Sequence, residues 1–508
     1  MIETLAAALS LVLQPAPMLA LIAGAFFGLF VGAIPGLSAT MATALLVPVT
    51  FFMPPLPAMA LIVSCAAMAI CAGDIPATLL RIPGTPASAA YTDEAHALTR
   101  KGKADAALGA LLFAAAFGGL FGSIVLMTFA PVLASFAIRF SAFEYFWLAV
   151  LGLSCVVLVS GNDPVKAAVV LVLGIILSTV GLDTMSGQPR FTFGFVELMG
   201  GVSFIPVMIG VFAASAVIRA MVQGARPPDA ALPEVRGGLL RSIGATMRGH
   251  PAGLVRGSVI GTAIGILPGA GGDLAAWISY AVSRRLSRTP EAYGTGHVEG
   301  LVDAGASNNA GLSGAWVPAL VFGIPGDAIT AIALGVLLMK GLNPGPTLFT
   351  ANAPLLYAVF ICFLIANLLL IPLGLLAIRM ARPLLRVPQT ILMPVVLVFC
   401  IVGSFAINNS VFGIAIMLLF GFIGYVMEEN GFPVAPLILG LILGPLVERT
   451  LSQASIMARG NIMPFFERPV SLVLGIIAIT VWALIILKAV RAARAGRPVA
   501  VPRKEPAK

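Results

Sequence analysis

The run from Leu355 to Ile378 carries no charged residue and is long enough to cross a bilayer as a helix, for which about 20 apolar residues suffice. Comparable apolar stretches, such as Val165–Val180, recur along the chain. In lipid every backbone N–H and C=O must be satisfied internally, so only helices and closed barrels can span. A barrel needs strands that alternate polar and apolar residues, and these runs do not alternate. The expected fold is therefore an all-α polytopic membrane protein. Composition sets the scale: of 508 residues 59% are hydrophobic and 10% charged, with a mean hydropathy of +1.04, more than a soluble surface can carry. Loops allowed for, about 10–13 transmembrane helices fit. No Lys or Arg precedes Arg81, so the N-terminus lacks the basic region of a secretory signal and is expected to stay uncleaved.

Several function classes find little support. Cys65, Cys71, Cys155, Cys362 and Cys400 sit inside apolar runs without metal-ligand spacing, and read as small buried hydrophobes. His96, His250 and His297 are scattered, with no HExxH. No catalytic residue, metal or cofactor is expected. The sole Gly-Lys, Gly102-Lys103, is followed by Ala104, so the chain has no phosphate-binding loop and is no ATPase by itself. A polytopic membrane enzyme would need a converging nucleophile, base or metal set. A scaffold subunit would have no use for helix breaks at membrane depth, which cost stability. A neighbouring gene for a small membrane subunit would separate transport from both rivals.

The net charge of +9 is unevenly placed. Lys488, Arg491, Arg494, Arg497, Arg503, Lys504 and Lys508, less Glu505, leave +6 in the tail; six arginines from Arg219 to Arg256, less Asp229 and Glu234, leave +4. Positive segments stay in the cytoplasm, so the linker and the C-terminus are expected there. The tail lacks the aromatic interleaving of a nucleic-acid surface.

The two sides of that linker resemble each other. Gly28, Gly32, Pro35, Gly36 and Ala42 match Gly261, Gly265, Pro268, Gly269 and Ala275 at a constant offset of 233. Pro76, Ile82, Pro83 and Gly84 then match Pro318, Ile324, Pro325 and Gly326, and Lys101-Gly102 matches Lys340-Gly341. Two blocks in the same order indicate duplication. Residues 1–222 form a first transmembrane repeat, 223–251 a basic linker, 252–488 a second repeat with C-terminal helices, and 489–508 a basic tail. Transporters are built from such repeats, commonly inverted, with interrupted helices at the binding site. Inversion suits a cytoplasmic linker if each repeat crosses an odd number of times.

The candidate site follows from the interruptions. At Pro35, Gly36, Leu37, Ser38 and Thr40, and again at Pro268, Gly269, Ala270, Gly271 and Gly272, an apolar helix should stop, turn and restart. Proline removes a donor and glycine permits the turn. The restarted helix presents free N–H groups and partial positive charge to an anion. The plainer alternative is GxxxG packing with a proline kink. The second block adds Arg81, Pro83, Gly84 and Thr85, and Pro325 and Gly326. Arg81 either pairs with a substrate carboxylate or is neutralised by Asp74, two turns earlier on the same face. Asp273 and Asp327 either cap helices or bind a coupling cation. Asn308 and Asn309 either bond between helices or coordinate a ligand or cation.

The blocks GAIPGLSATMATALLVPVTFFMPP, LLRIPGTPASAA, LPGAGGDLAAWISY, SNNA and PALVFGIPGDAITAIALGVLLMKGLNPGPTLF resemble the large permease subunit of the tripartite tricarboxylate transporters, the TctA family. The resemblance implies a bacterial inner-membrane secondary transporter for a carboxylate delivered by a periplasmic solute-binding protein. It also implies a small four-helix membrane subunit as partner, a sodium ion or proton as coupling ion, and an elevator-type movement. The chain departs from the family pattern EGVAAPESANNA, reading EGLVDAGASNNA, with Gly305 where Glu is usual and Asp303 two residues earlier. Asp327 likewise stands where Ser is frequent.

Overall fold

The computed structural model describes residues 2–159, 163–183, 187–223, 238–269, 271–385, 387 and 389–494. The middle of the basic linker, Ala270 and the tail beyond Arg494 lie outside the described residues.

Helices make up nearly the whole described chain, and their packing divides it into two units: Met1–Ile138 with Ala220–Asn409, and Arg139–Arg219 with Ser410–Lys508. Each unit therefore takes one segment from either side of the linker. Unit 1 opens with α1 (Ile2–Val12), α2 (Pro15–Gly32), α3 (Ala39–Phe51), α4 (Pro55–Ala72), α5 (Asp74–Leu80), α6 (Thr92–Arg100) and α7 (Ala104–Ala137). The chain then enters unit 2 with α8 (Ala142–Val159), α9 (Pro164–Ser178), a short hairpin of β1 (Gly181–Leu182) and β2 (Pro189–Arg190), α10 (Phe204–Ile209), a π-helical turn (Gly210–Ala214) and α11 (Ser215–Gln223). It returns to unit 1 with α12 (Leu239–Gly249), α13 (Pro251–Gly265), α14 (Gly271–Leu286), α15 (Val298–Phe322), α16 (Ala328–Met339), α17 (Leu348–Ala351), α18 (Ala353–Arg379), α19 (Ala381–Leu385) and α20 (Gln389–Asn408). Unit 2 closes with α21 (Val411–Glu429), α22 (Ala435–Met457), α23 (Pro464–Glu467) and α24 (Pro469–Arg494).

Among the described residues nine helices are long and apolar enough to cross a membrane, and five further apolar helices are shorter. Two of the short ones, α3 and α16, directly follow the Pro-Gly breaks. Part of the expected linker is helical: α12 docks on α7, where Ser242 Oγ donates to the Ala106 carbonyl at 3.1 Å and Gly238 N–H to Asp105 Oδ2 at 3.1 Å.

In unit 1 the matched blocks make matched contacts. Gly24, Gly28 and Gly32 of α2 lie so close to the carbonyls of Leu61, Cys65 and Ala69 on α4 that any Cβ there would collide with them. Gly257, Gly261 and Gly265 of α13 meet the carbonyls of Asp303, Ser307 and Gly311 on α15 in the same way. Residue numbers rise together in both pairs, so each pair is parallel, in the same register. Small residues let such backbones approach and gain dispersion contacts where lipid gives no hydrophobic drive between helices.

The turns match as well. Arg81 (φ 60°) and Gly323 (φ 70°) end α5 and α15 in left-handed backbone, and Ile82 N–H and Ile324 N–H each bond six residues back, to Pro76 and Pro318, at 3.3 Å. Gly102 and Gly341 both have φ 72°. Lys101 Nζ donates to the Thr295 carbonyl at 2.6 Å, and Lys340 Nζ to the Phe51 carbonyl at 2.8 Å, so one lysine ties its turn to a loop and the other to the end of α3, each in the opposite half. Desolvation holds the Lys340 ammonium below the ordinary lysine value. The helices after these turns, α7 and α18, pack with Gly119 facing Asn367 and Leu112 facing Gly374. Numbers rise on one as they fall on the other, so α7 and α18 are antiparallel.

Gly28→Val and Gly261→Val force the parallel pairs apart and should each cost about 1–3 kcal/mol by overpacking, read as a lower melting temperature of the purified protein. Gly244→Ala, in a helix with open space around it, should leave the melting temperature unchanged or raise it. Equal stability of all three variants would contradict the packing.

Candidate functional site

The first break is built by Ser38. Its Oγ accepts from Met41 N–H at 3.1 Å and caps α3, while Thr40 lies within the first helical turn. Gly36 turns at φ 87° and is exposed; Pro35 is half-buried and Leu37 buried. The second break uses other residues. Gly269 (φ 79°) follows Pro268, and Gly271 (φ 53°) and Gly272 open α14. Asp273 sits in the first turn of α14, and its Oδ1 accepts from Ala87 N–H at 3.2 Å. It thus anchors a backbone segment of the opposite half.

At the second block, Thr85 and Ser88 exchange bonds: Thr85 N–H donates to Ser88 Oγ and Ser88 N–H to Thr85 Oγ1, both at 3.0 Å. At the matching positions Asp327 and Thr330 form a capping box on α16, with Thr330 N–H donating to Asp327 Oδ1 at 2.7 Å and Asp327 N–H to Thr330 Oγ1 at 2.8 Å. Gly84 packs on Gly73, and Gly326 on Ala315, at equivalent positions. Asp327 therefore does as a cap what a hydroxyl does in the other half, and carries a charge that the cap does not require.

Four stretches of the candidate site meet. Gly271 is so close to Asp327 that a Cβ on it would stand 2.8 Å from the Asp327 Cβ, and one on Gly272 would stand 2.8 Å from the Asn308 carbonyl. Asp273 reaches Ala87, and Trp277 Nε1 donates to the Pro86 carbonyl at 3.2 Å. Asn308 Nδ2 donates to Tyr91 Oη at 3.1 Å; Asn309 Nδ2 donates to the Ala67 carbonyl at 3.4 Å, and Asn309 Oδ1 is buried without a partner among the described residues. The Pro35–Thr40 break belongs to the same unit, where α16 packs on α3 and α4. Pro83 and Asp273 are exposed, whereas Gly84, Thr85, Pro325 and Gly326 are buried.

One sequence expectation changes, and one departure from the family pattern finds its partner. Arg81 does not pair with Asp74: it ends α5 in left-handed backbone, and its Nε meets Asp93 Oδ1 at 2.8 Å in a pair whose side chains are 64% and 70% exposed. Asp303 is neutralised by Arg256, which forks onto both its oxygens and reaches Glu299 Oε1 at 3.1 Å.

One buried acid carried no sequence signal. Glu94 accepts from Tyr280 Oη at 2.8 Å and from the backbone amides of Gly294, Gly296 and His297, the last two at 2.6 and 2.8 Å. It locks α6 to the loop between α14 and α15.

Across residues 18–439 the chain matches the family model described as "Tripartite tricarboxylate transporter TctA family". The chain belongs to this family. It is a multi-pass membrane protein and a component of a family of transporters assembled from three parts. It is 32% identical over 494 residues, 97% of this chain and 98% of the relative, to an Agrobacterium vitis protein described as "Uncharacterized 52.8 kDa protein in TAR-I ttuC' 3'region". Over 234 residues it is 34% identical to another from that organism, "Uncharacterized protein in TAR-II ttuC' 3'region", covering 46% of this chain and 97% of the relative. No solved structure matches the chain.

Left-handed backbone at Gly36 and Gly269 excludes β-branched side chains at low cost. Gly36→Val and Gly269→Val should each lower transport at least about tenfold, on the order of 1.4 kcal/mol, with membrane insertion intact in a fractionation assay. Wild-type transport by either variant would remove the paired breaks from the site.

Proposed function

We propose that this chain is the large membrane permease subunit of a binding-protein-dependent, ion-gradient-driven importer of a carboxylate, such as a tricarboxylate or another organic acid. Its partners are a periplasmic solute-binding protein and a small four-helix membrane subunit. It works in the bacterial inner membrane with its C-terminus and basic linker in the cytoplasm, as the charge excesses favour. The observation that carries this reading is the pair of Gly-turned breaks at Gly36 and Gly269, each followed at once by a helix start. Free N–H groups at α3 and α14 favour an anionic group without a formal basic residue. The halves are inverted repeats on this reading, which the antiparallel packing of the equivalent helices α7 and α18 supports. Unit 1, which holds both pairs of breaks, is the substrate-carrying body.

The breaks differ in charge. The first offers Ser38 and Thr40; the second brings Asp273 and Asp327, which repel an anion and attract a cation. We assign the substrate carboxylate chiefly to the first break with Thr85 and the Asn308 side of the second, and a sodium ion or proton to the acidic pair.

The test is uptake of labelled mono-, di- and tricarboxylates in cells expressing all three components, with sodium and proton gradients collapsed in turn. One carboxylate class should accumulate under one gradient. Asp273→Asn and Asp327→Asn keep an oxygen acceptor but remove charge, so either should weaken ion dependence together with rate. Near-normal uptake with unchanged ion dependence would return both residues to structure, and uptake of no carboxylate would end the reading.

A further inference from the structure

A further acid lies deep in unit 1, outside the acidic pair. Asp74 is 3% exposed and falls within the membrane-crossing stretch Pro55–Leu80. An ionisable group at such a position is costly and by default functional. No Lys, Arg or His pairs with it among the described residues, since Arg81, the basic side chain nearest in sequence, is spent on Asp93 at the surface. Its Oδ1 accepts from Tyr91 Oη at 2.7 Å, and Tyr91 in turn accepts from Asn308 Nδ2 at 3.1 Å. The carboxyl group is thus wired to the helix that forms one wall of the candidate site.

Asp74 also lines a cavity of about 10 Å³, room for one water molecule. The remaining wall comes from Cys71 and from Leu, Ile, Ala and Gly residues of α2, α4, α5, α7 and α18. Titratable groups near this region are Tyr91, Cys71 and, on α6, His96, whose Nδ1 meets the carbonyl of Thr78, one turn along α5 from Asp74, at 3.2 Å; α2, α7 and α18 contribute no charged side chain to the wall. A hard metal cation needs several oxygen ligands, and this wall offers one carboxylate amid hydrocarbon. A proton needs only that one.

We propose that Asp74 is a proton-binding site of the substrate-carrying unit, loaded and unloaded during transport. This rests on the transport reading above. In loading, hydronium transfers its proton to Oδ2, an O–H bond forms, the carboxylate charge is lost and neutral water leaves. Unloading reverses these steps. Tyr91 keeps its own proton throughout and acts as a positioning residue, holding Oδ1 and linking the charge state of Asp74 to Asn308. Neutral Asp74 removes the unpaired charge from the membrane interior, which gives the loaded unit its freedom to move.

The test uses the full chain with its partner subunits in lipid nanodiscs, by infrared difference spectroscopy between acidic and alkaline buffer without sodium. Wild type should show a titrating protonated-carboxyl band that Asp74→Asn lacks. Tyr91→Phe, which removes the one hydrogen bond donated to the carboxylate among the described residues, should keep the band and displace its midpoint; this variant decides the matter if Asp74→Asn does not fold. A spectrum unchanged by Asp74→Asn, or a midpoint unchanged by Tyr91→Phe, would overturn the assignment. For the carboxylate found in the uptake panel, acceleration by an acid-outside gradient should fall at least tenfold in Asp74→Asn, and full retention would overturn the coupling role. The spectroscopic result stands whether or not any carboxylate is transported, so failure here and failure of the import reading are separable.

Discussion

A backbone interrupted inside a membrane must find its hydrogen-bond partners within the protein. The rest of unit 1 answers that demand. Ser38, Thr85 with Ser88, and Asp327 with Thr330 supply side-chain acceptors at restarted helices, and Asp273 supplies one to the opposite half. Such short bonds hold only if the flanking helices are fixed, and the glycine-lined pairs α2–α4 and α13–α15 fix them by bringing backbone onto backbone. Lys101, Lys340 and Glu94 then tie the two halves together, to the Thr295 loop, to the end of α3 and to the loop before α15.

Much of this was legible in the sequence because glycine and proline report backbone geometry directly. The breaks at Pro35-Gly36 and Pro268-Gly269 fall where the spacing places them, and the glycines that align in sequence make equivalent contacts. Side-chain pairing was less legible. Asp74 and Arg81 share a face only while the helix continues, and the left-handed residue that ends it is Arg81 itself. Arg256 and Asp303 are joined by the parallel packing of α13 on α15, which no local pattern announces. Three of the four donors to Glu94 are backbone amides, so no residue type betrays that lock.

Charge is distributed over unit 1 in four ways, the cradle of backbone amides around Glu94 being one. Asp303 and Glu299 are balanced by Arg256, and Asp93 by Arg81. Asp273 and Asp327 each satisfy a backbone amide with one oxygen, and so combine a structural bond with a negative charge beside the second break. Asp74 alone is buried against a phenol and hydrocarbon. On the proposed import reading, the neutral break takes the anion, and the acidic break and the separate buried acid take the positive charge that accompanies it.

The antiparallel register of α7 and α18 is the observation that supports the proposed inversion of the two halves, and disulfide trapping tests it directly. With Cys65, Cys71, Cys155, Cys362 and Cys400 replaced, Gly119→Cys paired with Asn367→Cys should cross-link in native membranes. Leu112→Cys paired with Gly374→Cys should cross-link as well, whereas Leu126→Cys paired with Gly374→Cys, the residues that a parallel packing through Gly119 and Asn367 would bring together, should not. Cross-linking of Leu126→Cys with Gly374→Cys in preference to Leu112→Cys with Gly374→Cys would contradict the antiparallel packing and, with it, the proposed inversion of the halves.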